Sequence, residues 1–328
     1  MTNGLPDPPV IPGITWRPAR THDVPAIIVL QDACFEVDGG YREVESEILD
    51  RWESDVSSVL EDSLVAVKEN GEVIAVAWAY VPSIATTKWR AFHDNYVHPD
   101  YRSTEVPEFV LRWWEARCAQ MLASKGDQLP RFLWSVVYDW QLDKIEFLES
   151  HRYEAMRYFD ELARDLDETI DGCSLPDGIV VRTWEDAPLS DSLRVHNEAF
   201  ADHWGSQPVS ESRWAQKVNE FHLPTASYVG YDGEEAVSYL MSAAFPHDFE
   251  DKGRREAWVD GLGTVRSHRK QGIGSALISL ALEEYRRLGM EYAVLGVDSA
   301  SETGAHHLYE SLGFVPDRRE IAYIKEIV

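Results

Sequence analysis

The residues Arg269-Lys270-Gln271-Gly272-Ile273-Gly274-Ser275-Ala276-Leu277 have the types and spacing of an anion site. The run Ala257-Trp258-Val259-Asp260-Gly261-Leu262-Gly263-Thr264-Val265 before them reads as a strand. Ile273, Leu277, Leu280 and Tyr285 after them keep a helical apolar spacing, and Gly289 follows Arg286-Arg287 as a helix stop. A strand, a glycine turn and an open helix N-terminus leave N–H groups unpaired, and the helix dipole adds partial positive charge. Glycine lets a pyrophosphate come close to the backbone. The pattern is not a Walker loop, which needs G-x-x-x-x-G-K-[ST], nor a three-glycine dinucleotide fingerprint, because Leu277 occupies the third glycine position.

A second element follows downstream: Val297-Asp298, then Thr303-Gly304-Ala305-His306-His307-Leu308-Tyr309-Glu310-Ser311-Leu312-Gly313-Phe314. The R-x-x-G-x-G turn and the A-x-x-L-Y-x-x-L-G-F helix, in this order, resemble the GNAT superfamily of acetyl-CoA-dependent N-acetyltransferases. Val195 to Gly205 is similar to the segment after the first strand in tandem GNAT proteins of the mycothiol synthase type. The resemblance implies an acetyl-CoA site made by Leu262, Gly263, Thr264, Val265, Arg269, Lys270, Gln271, Gly272, Ile273, Gly274, Ser275, Ser301 and Tyr309. His203 and Trp204 fall where the acceptor pocket is bordered, so they are expected substrate contacts. No metal is implied.

The resemblance also distributes roles. Tyr309 stands at the tyrosine that reaches the coenzyme sulfur, and a phenol can return a proton to a thiolate of similar basicity. Thr264 and Val265 are both placed to offer a backbone N–H to the acetyl carbonyl, and Gly261 and Gly263 are consistent with a distorted strand. Asp260 is the expected base, with Glu256 and His203 as weaker alternatives. Simple alternation puts Asp260 on the face of Trp258, Leu262 and Thr264. Two positions depart from the family pattern: Ser301 replaces a frequent asparagine, and Glu302 replaces a proline. Ser299-x-x-Glu302 also reads as a capping box. His306 and His307 lack metal spacing on one helix face and are expected in solvent.

The chain repeats itself. Gly13 to Arg17 recurs as Gly178 to Arg182, the hairpin around Asn70-Gly71 as that around Asp232-Gly233, Val97 to Arg102 as Thr264 to Arg269, and Phe147 to Tyr153 as Leu308 to Phe314. The expected fold is α/β (α+β with a mixed sheet): two tandem GNAT-like domains, each a twisted, mostly antiparallel sheet flanked by helices. The expected organisation is a tail over 1–12, a degenerate domain over 13–165, an acidic linker over 166–177 and a catalytic domain over 178–328. In the first half Glu105 and Pro107 stand where the glycines would be. A carboxylate repels pyrophosphate and proline lacks an N–H, so this copy is expected to keep the fold without the coenzyme site. Trp78, Trp89, Trp113, Trp114, Trp134 and Trp140 are expected in its core.

The 328 residues are 44% hydrophobic and carry a formal charge of −26. That charge argues against nucleic acid or an anionic membrane as partner. It is compatible with a cationic substrate, but solubility or a salt-adapted host is the plainer reading of it. Cys34, Cys118 and Cys173 suggest no disulfide framework. With no signal peptide or apolar span recognised, a cytoplasmic location is expected. The resulting expectation is transfer of an acetyl group from acetyl-CoA to a primary amine of a small molecule. The alternatives are a non-catalytic acetyl-CoA-binding sensor or regulatory protein, and transfer to a peptide or protein amine.

Overall fold

Asn70-Gly71 and Asp232-Gly233 each close a hairpin on a glycine at positive φ, 87° at Gly71 and 59° at Gly233, a conformation that costs glycine nothing. The computed structural model describes residues 4–52, 58–170, 172–201, 206, 208–300 and 305–327. The chain forms two compact units, residues 1–156 with 321–328, and residues 157–320.

The first unit runs β1 (Ile14–Arg17), α1 (Val24–Asp38), α2 (Glu45–Trp52), α3 (Val59–Asp62), β2 (Ser63–Lys68), β3 (Val73–Tyr80), β4 (Trp89–Val97), α4 (Val106–Ala123), β5 (Arg131–Tyr138), α5 (Leu142–Ser150) and the start of β6 (Glu154–Asp165). Strands β1 to β4 pair antiparallel in chain order, and β5 adds parallel to β4. Both sheet faces are covered. Val106, Phe109, Val110, Trp113 and Trp114 of α4 fill one face, and Ile27, Leu30, Ile48 and Trp52 of α1 and α2 fill the other. Trp78, Trp89, Trp113, Trp114 and Trp134 are buried as expected. Trp140 is not: it is 44% exposed, stacks on Tyr138 at 4.3 Å and donates Nε1 to the Asp38 carbonyl. Its indole meets a surface partner outside the core.

The second unit continues through β6 to β7 (Ile179–Thr183), α6 (Leu189–Ala199), α7 (Glu211–Gln216), β8 (Tyr228–Asp232), β9 (Glu235–Ala244), α8 (Phe249–Lys252), β10 (Glu256–Thr264), α9 (Ile273–Arg287), β11 (Tyr292–Asp298), α10 (Ala305–Ser311) and β12 (Val315–Ile327). Its strands lie in the order β6-β11-β10-β9-β8-β7, with only β10 and β11 parallel. The unit boundaries fall within β6 and β12. The stretch after β6 packs against α9 and β11: Arg286 donates to the carbonyls of Leu166 and Glu168, and Leu166 donates its N–H to Glu291.

Helix α9 forms because its apolar residues share one stripe. Ile273, Ala276, Leu277, Ala281, Leu282 and Tyr285 are all 1% exposed or less. Full burial of a large apolar side chain of this kind contributes about 1.5–3 kcal/mol. Gly289 at φ 80° ends the helix, with Met290 N–H reaching back to the Tyr285 carbonyl. Among the described residues no helix is long and apolar enough to cross a membrane.

Candidate active site

The site begins with a disagreement in strand length. Strand β10 runs to Thr264, but its pairing with β11 stops at Val259 opposite Leu295. Beyond that point the two strands part. On the other edge β10 stays paired with β9 through Thr264, so one edge of Gly261 to Thr264 is free of β11. Val265 donates its N–H to the Val237 carbonyl, on the β9 side. Peptide groups alternate along an antiparallel ladder, so the amides of Leu262 and Thr264 turn toward the side that β11 has left. Of the two expected donors, Thr264 therefore faces the opening, while the Val265 amide is engaged within the sheet.

A bulge sits at Asp260. The register with β9 shifts between Val259 and Gly261. The extra residue breaks the alternation that would put Asp260 with Leu262 and Thr264. Leu262 packs toward α9, where a Cβ on Gly274 would meet its Cδ2 at 3.7 Å. Gly263 faces α6, where a Cβ would lie 3.0 Å from the Ala199 side chain. Asp260 pairs with Lys217, just after α7, at 2.9 Å, and the two side chains are 36% and 41% exposed. The expectation of a shared face with Leu262 is thus corrected by the bulge.

Gly261 and Gly263 have a specific reason to be glycine. A Cβ at Gly261 would stand 2.8 Å from the Tyr239 hydroxyl oxygen, and one at Gly263 would stand 2.7 Å from its ring. The Tyr239 ring lies across both, and its hydroxyl is 2.7 Å from His196 Nδ1 on α6. Burial raises the Tyr239 phenol well above its ordinary pKa, with the charges of Asp260 and Tyr309 adding to the effect. Burial also lowers His196 to about 4, with Lys217 assisting, so its imidazole is neutral near pH 7. Neither Tyr239 nor His196 was marked from sequence.

The loop before α9 turns on two left-handed residues. Lys270 and Gly272 adopt left-handed φ values of 62° and 86°, a backbone form that gathers amides into a concavity. Ala276 donates to the Gly272 carbonyl, so α9 starts there, and the amides of Ile273, Gly274 and Ser275 precede the first intrahelical bond. Nothing within 4 Å would meet a Cβ on Gly272, and at Gly274 the only neighbour is Leu262 at an ordinary contact distance. The left-handed φ of Gly272 itself favours glycine, but Gly274 lies inside the helix, where glycine is unfavourable by about 0.5–1 kcal/mol relative to alanine, and no protein atom demands one there. The open space fits an outside group that approaches the backbone closely. Lys270, Gln271 and Gly272 are exposed around it, with Arg266 nearby. Arg269 ties the loop to its surroundings. It donates Nε to the Thr264 carbonyl and another nitrogen to the Ala199 carbonyl, joining the end of β10 to the end of α6.

Tyr309 lies on α10, in contact with the core and with Phe314 at 6.1 Å between rings. Its hydroxyl makes no hydrogen bond among the described residues, and burial pushes its pKa up to about 12. Gly313, at φ 82°, ends α10, and Phe314 N–H returns to the Tyr309 carbonyl. Glu256 is held by Lys252, Arg254 and the Trp258 indole, so its carboxylate is fully engaged in the framework. His307 is exposed and pairs with Glu310, whereas the His306 Nε2 is buried, contrary to the expectation of solvent for both. His203, Trp204, Ser301 and Glu302 lie outside the described residues. No group of three or more metal-ligating side chains occurs among the described residues.

The model of the acetyltransferase (GNAT) family matches residues 190–314. A mycothiol acetyltransferase of Geodermatophilus obscurus is 28% identical over 184 residues, a match spanning 54% of this chain and 58% of that protein. The chain thus spans little more than half the length of that relative. Among solved structures, a GCN5-related N-acetyltransferase from Sphaerobacter thermophilus superposes with a TM-score of 0.72 at 22% identity, covering 97% of both chains. A tandem GNAT protein from the clavulanic acid biosynthesis pathway superposes with a TM-score of 0.70 at 15% identity, covering 95% of this chain and 98% of that one.

Proposed function

Given that the chain carries a GNAT domain over residues 190–314 and has the tandem GNAT fold, we propose that its second unit is an acetyl-CoA-dependent N-acetyltransferase acting on a primary amine of a small molecule. One observation supports this most strongly. The parting of β10 from β11 and the glycine cradle of α9 are joined by a single short segment, Thr264 to Gly272.

Bound acetyl-CoA would supply an acetyl thioester. The amides of Ile273, Gly274 and Ser275 would hold its pyrophosphate, helped by the dipole of α9 and the charge of Lys270. The amides of Leu262 and Thr264 are oriented to bind a carbonyl oxygen, and they hold an oxyanion better than a neutral oxygen. Tyr309 keeps its proton at Oη to high pH and its hydroxyl has no hydrogen-bond partner among the described residues, so that proton would be available to a thiolate. Asp260 faces the side of α6 and α7, where it would receive a substrate ammonium as it does that of Lys217 and would take the proton that the nitrogen must lose before it attacks the thioester, passing it to solvent.

Thiol release and calorimetry on the full chain test this reading. Acetyl-CoA should bind at micromolar levels and thiol should appear only with an amine present. Binding without turnover across a panel of primary amines would favour a sensor and overturn the enzyme.

A further inference from the structure

A cavity of about 280 Å³ is lined by Val218 and Asn219, the two residues that follow Lys217 in the chain. Its walls are the Trp184 indole, Ala187, Leu189 and Val218, with Asn219 and His222 as the polar members. The volume is at the small end for ligand pockets and suits one ring better than a sugar chain. His222 is 8% exposed and packs against Trp184 at a tilt of 51°, with ring centroids 4.9 Å apart. Its Nε2 is buried without a hydrogen-bond partner among the described residues. A buried polar nitrogen left unpaired is unfavourable, and a partner from outside relieves it. The Asn219 side-chain oxygen already accepts from the Phe221 N–H.

The cavity is continuous in sequence and in charge with the amine corner. Val218 and Asn219 directly follow Lys217, whose ammonium is 2.9 Å from Asp260. The Asp260 carboxylate acts on His222 through space, opposing the burial that keeps the imidazole neutral. Lys217 is itself a primary alkylammonium, so the ion pair displays the chemistry that Asp260 accepts.

From this geometry we infer that the cavity is the acceptor subsite. The acceptor is a short-chain primary amine with a ring-sized apolar body against Trp184 and one hydrogen-bonding group for His222, and its ammonium exchanges with Lys217 at Asp260. This rests on the acetyltransferase reading and names its substrate class.

Calorimetry of tyramine and 2-phenylethylamine binding to the full chain tests it without turnover. Tyramine should bind about tenfold more tightly than 2-phenylethylamine, the ratio expected for one hydrogen bond to a buried group. His222→Leu should remove the difference. Ala187→Phe, which fills the cavity, should abolish binding of both amines while acetyl-CoA affinity stays unchanged. Should that variant not fold, Leu189→Trp at the rim serves the same purpose. Equal affinities, an advantage that survives His222→Leu, binding that survives the filled cavity, or no binding of either amine each overturn the subsite. Failure of the acetyltransferase reading is separate: it appears as absent thiol release with every amine, whatever the calorimetry gives.

Discussion

Arg102 and Arg269 make the same bond in the two units. Each donates Nε to the carbonyl of the residue five positions earlier, Val97 at 3.1 Å and Thr264 at 3.2 Å. Each then reaches the end of the first long helix of its unit, Arg102 through the Asp38 carboxylate and Arg269 through the Ala199 carbonyl. The arginine of the R-x-x-G-x-G pattern is therefore a staple between strand and helix. It persists in the first unit, where Glu105 at φ −76° replaces Gly272 and the left-handed turn is gone. The arginine staple and the left-handed turn are separable features of this segment.

We propose the Tyr309 hydroxyl as the proton donor. Tyr309→Phe should lower kcat by about 10²–10⁴-fold, the usual contribution of a positioned general acid, and leave the Kd for acetyl-CoA within about twofold, since a single methine-for-carbinol change removes no packing. The acid must be protonated to act, and its pKa is raised to about 12. The rate should therefore not fall with alkalinity between pH 8 and about 10.5, where an ordinary tyrosine would begin to titrate. An alkaline limb centred near 10 would contradict the assignment.

Gly263 is required by packing. Gly263→Ala would place a methyl 2.7 Å from the Tyr239 ring and 3.0 Å from Ala199. Overpacking of this kind costs about 1–3 kcal/mol, readable as a lower midpoint in urea unfolding. An unchanged midpoint would mean that Tyr239 does not lie across β10.

Arg152 stands where the other unit has Gly313. It takes the same left-handed conformation, φ 66°, and closes the same turn, with Tyr153 N–H on the Leu148 carbonyl. A non-glycine residue is strained there by about 1–2 kcal/mol. Arg152→Gly should raise stability by roughly 1 kcal/mol after the added flexibility of the unfolded chain is counted. Calorimetric unfolding measures it, and a lowered stability would contradict it.

His93, packed edge-on against Trp114 at 4.9 Å, is lowered by burial to about 3, with the Lys144 charge assisting. The unfolded state then binds a proton that the folded state refuses. Stability is unaffected by this group above about pH 6.5 and falls as pH drops from there toward 3, by up to about 1.4 kcal/mol per pH unit. His93→Phe should flatten that part of the pH–stability curve measured by urea unfolding. A slope unchanged by the substitution would show that His93 titrates normally.

Much of this arrangement was legible in sequence because it is local. Glycine turns, the stripe of α9 and its stop at Gly289, and the repeat of strand–turn–helix units all depend on residues close together in the chain. The parts that were missed depend on distant ones. Tyr239 meets His196 and Lys217 meets Asp260 across 43 residues in each case, and no spacing rule connects them. The bulge at Asp260 likewise appears only when β9 supplies the register. The bonds of Arg269 to the Thr264 and Ala199 carbonyls are of the same kind, the second reaching back 70 residues to a partner that no local pattern marks.

Gly274 is the most direct test of the central claim, because its Cβ position is open to the protein and is expected to be filled by pyrophosphate. Acetyl-CoA binding should be measured by calorimetry for the wild type, Gly274→Ala and Gly274→Glu, alongside thermal unfolding. The expected result is a split: Gly274→Ala more stable by about 0.5–1 kcal/mol, as alanine is in a helix, yet weaker in coenzyme affinity, and Gly274→Glu weaker still by at least about tenfold, as a carboxylate at the anion cradle opposes the charge. Coenzyme affinity equal to wild type in both folded variants would contradict the assignment of the α9 N-terminus as the acetyl-CoA site.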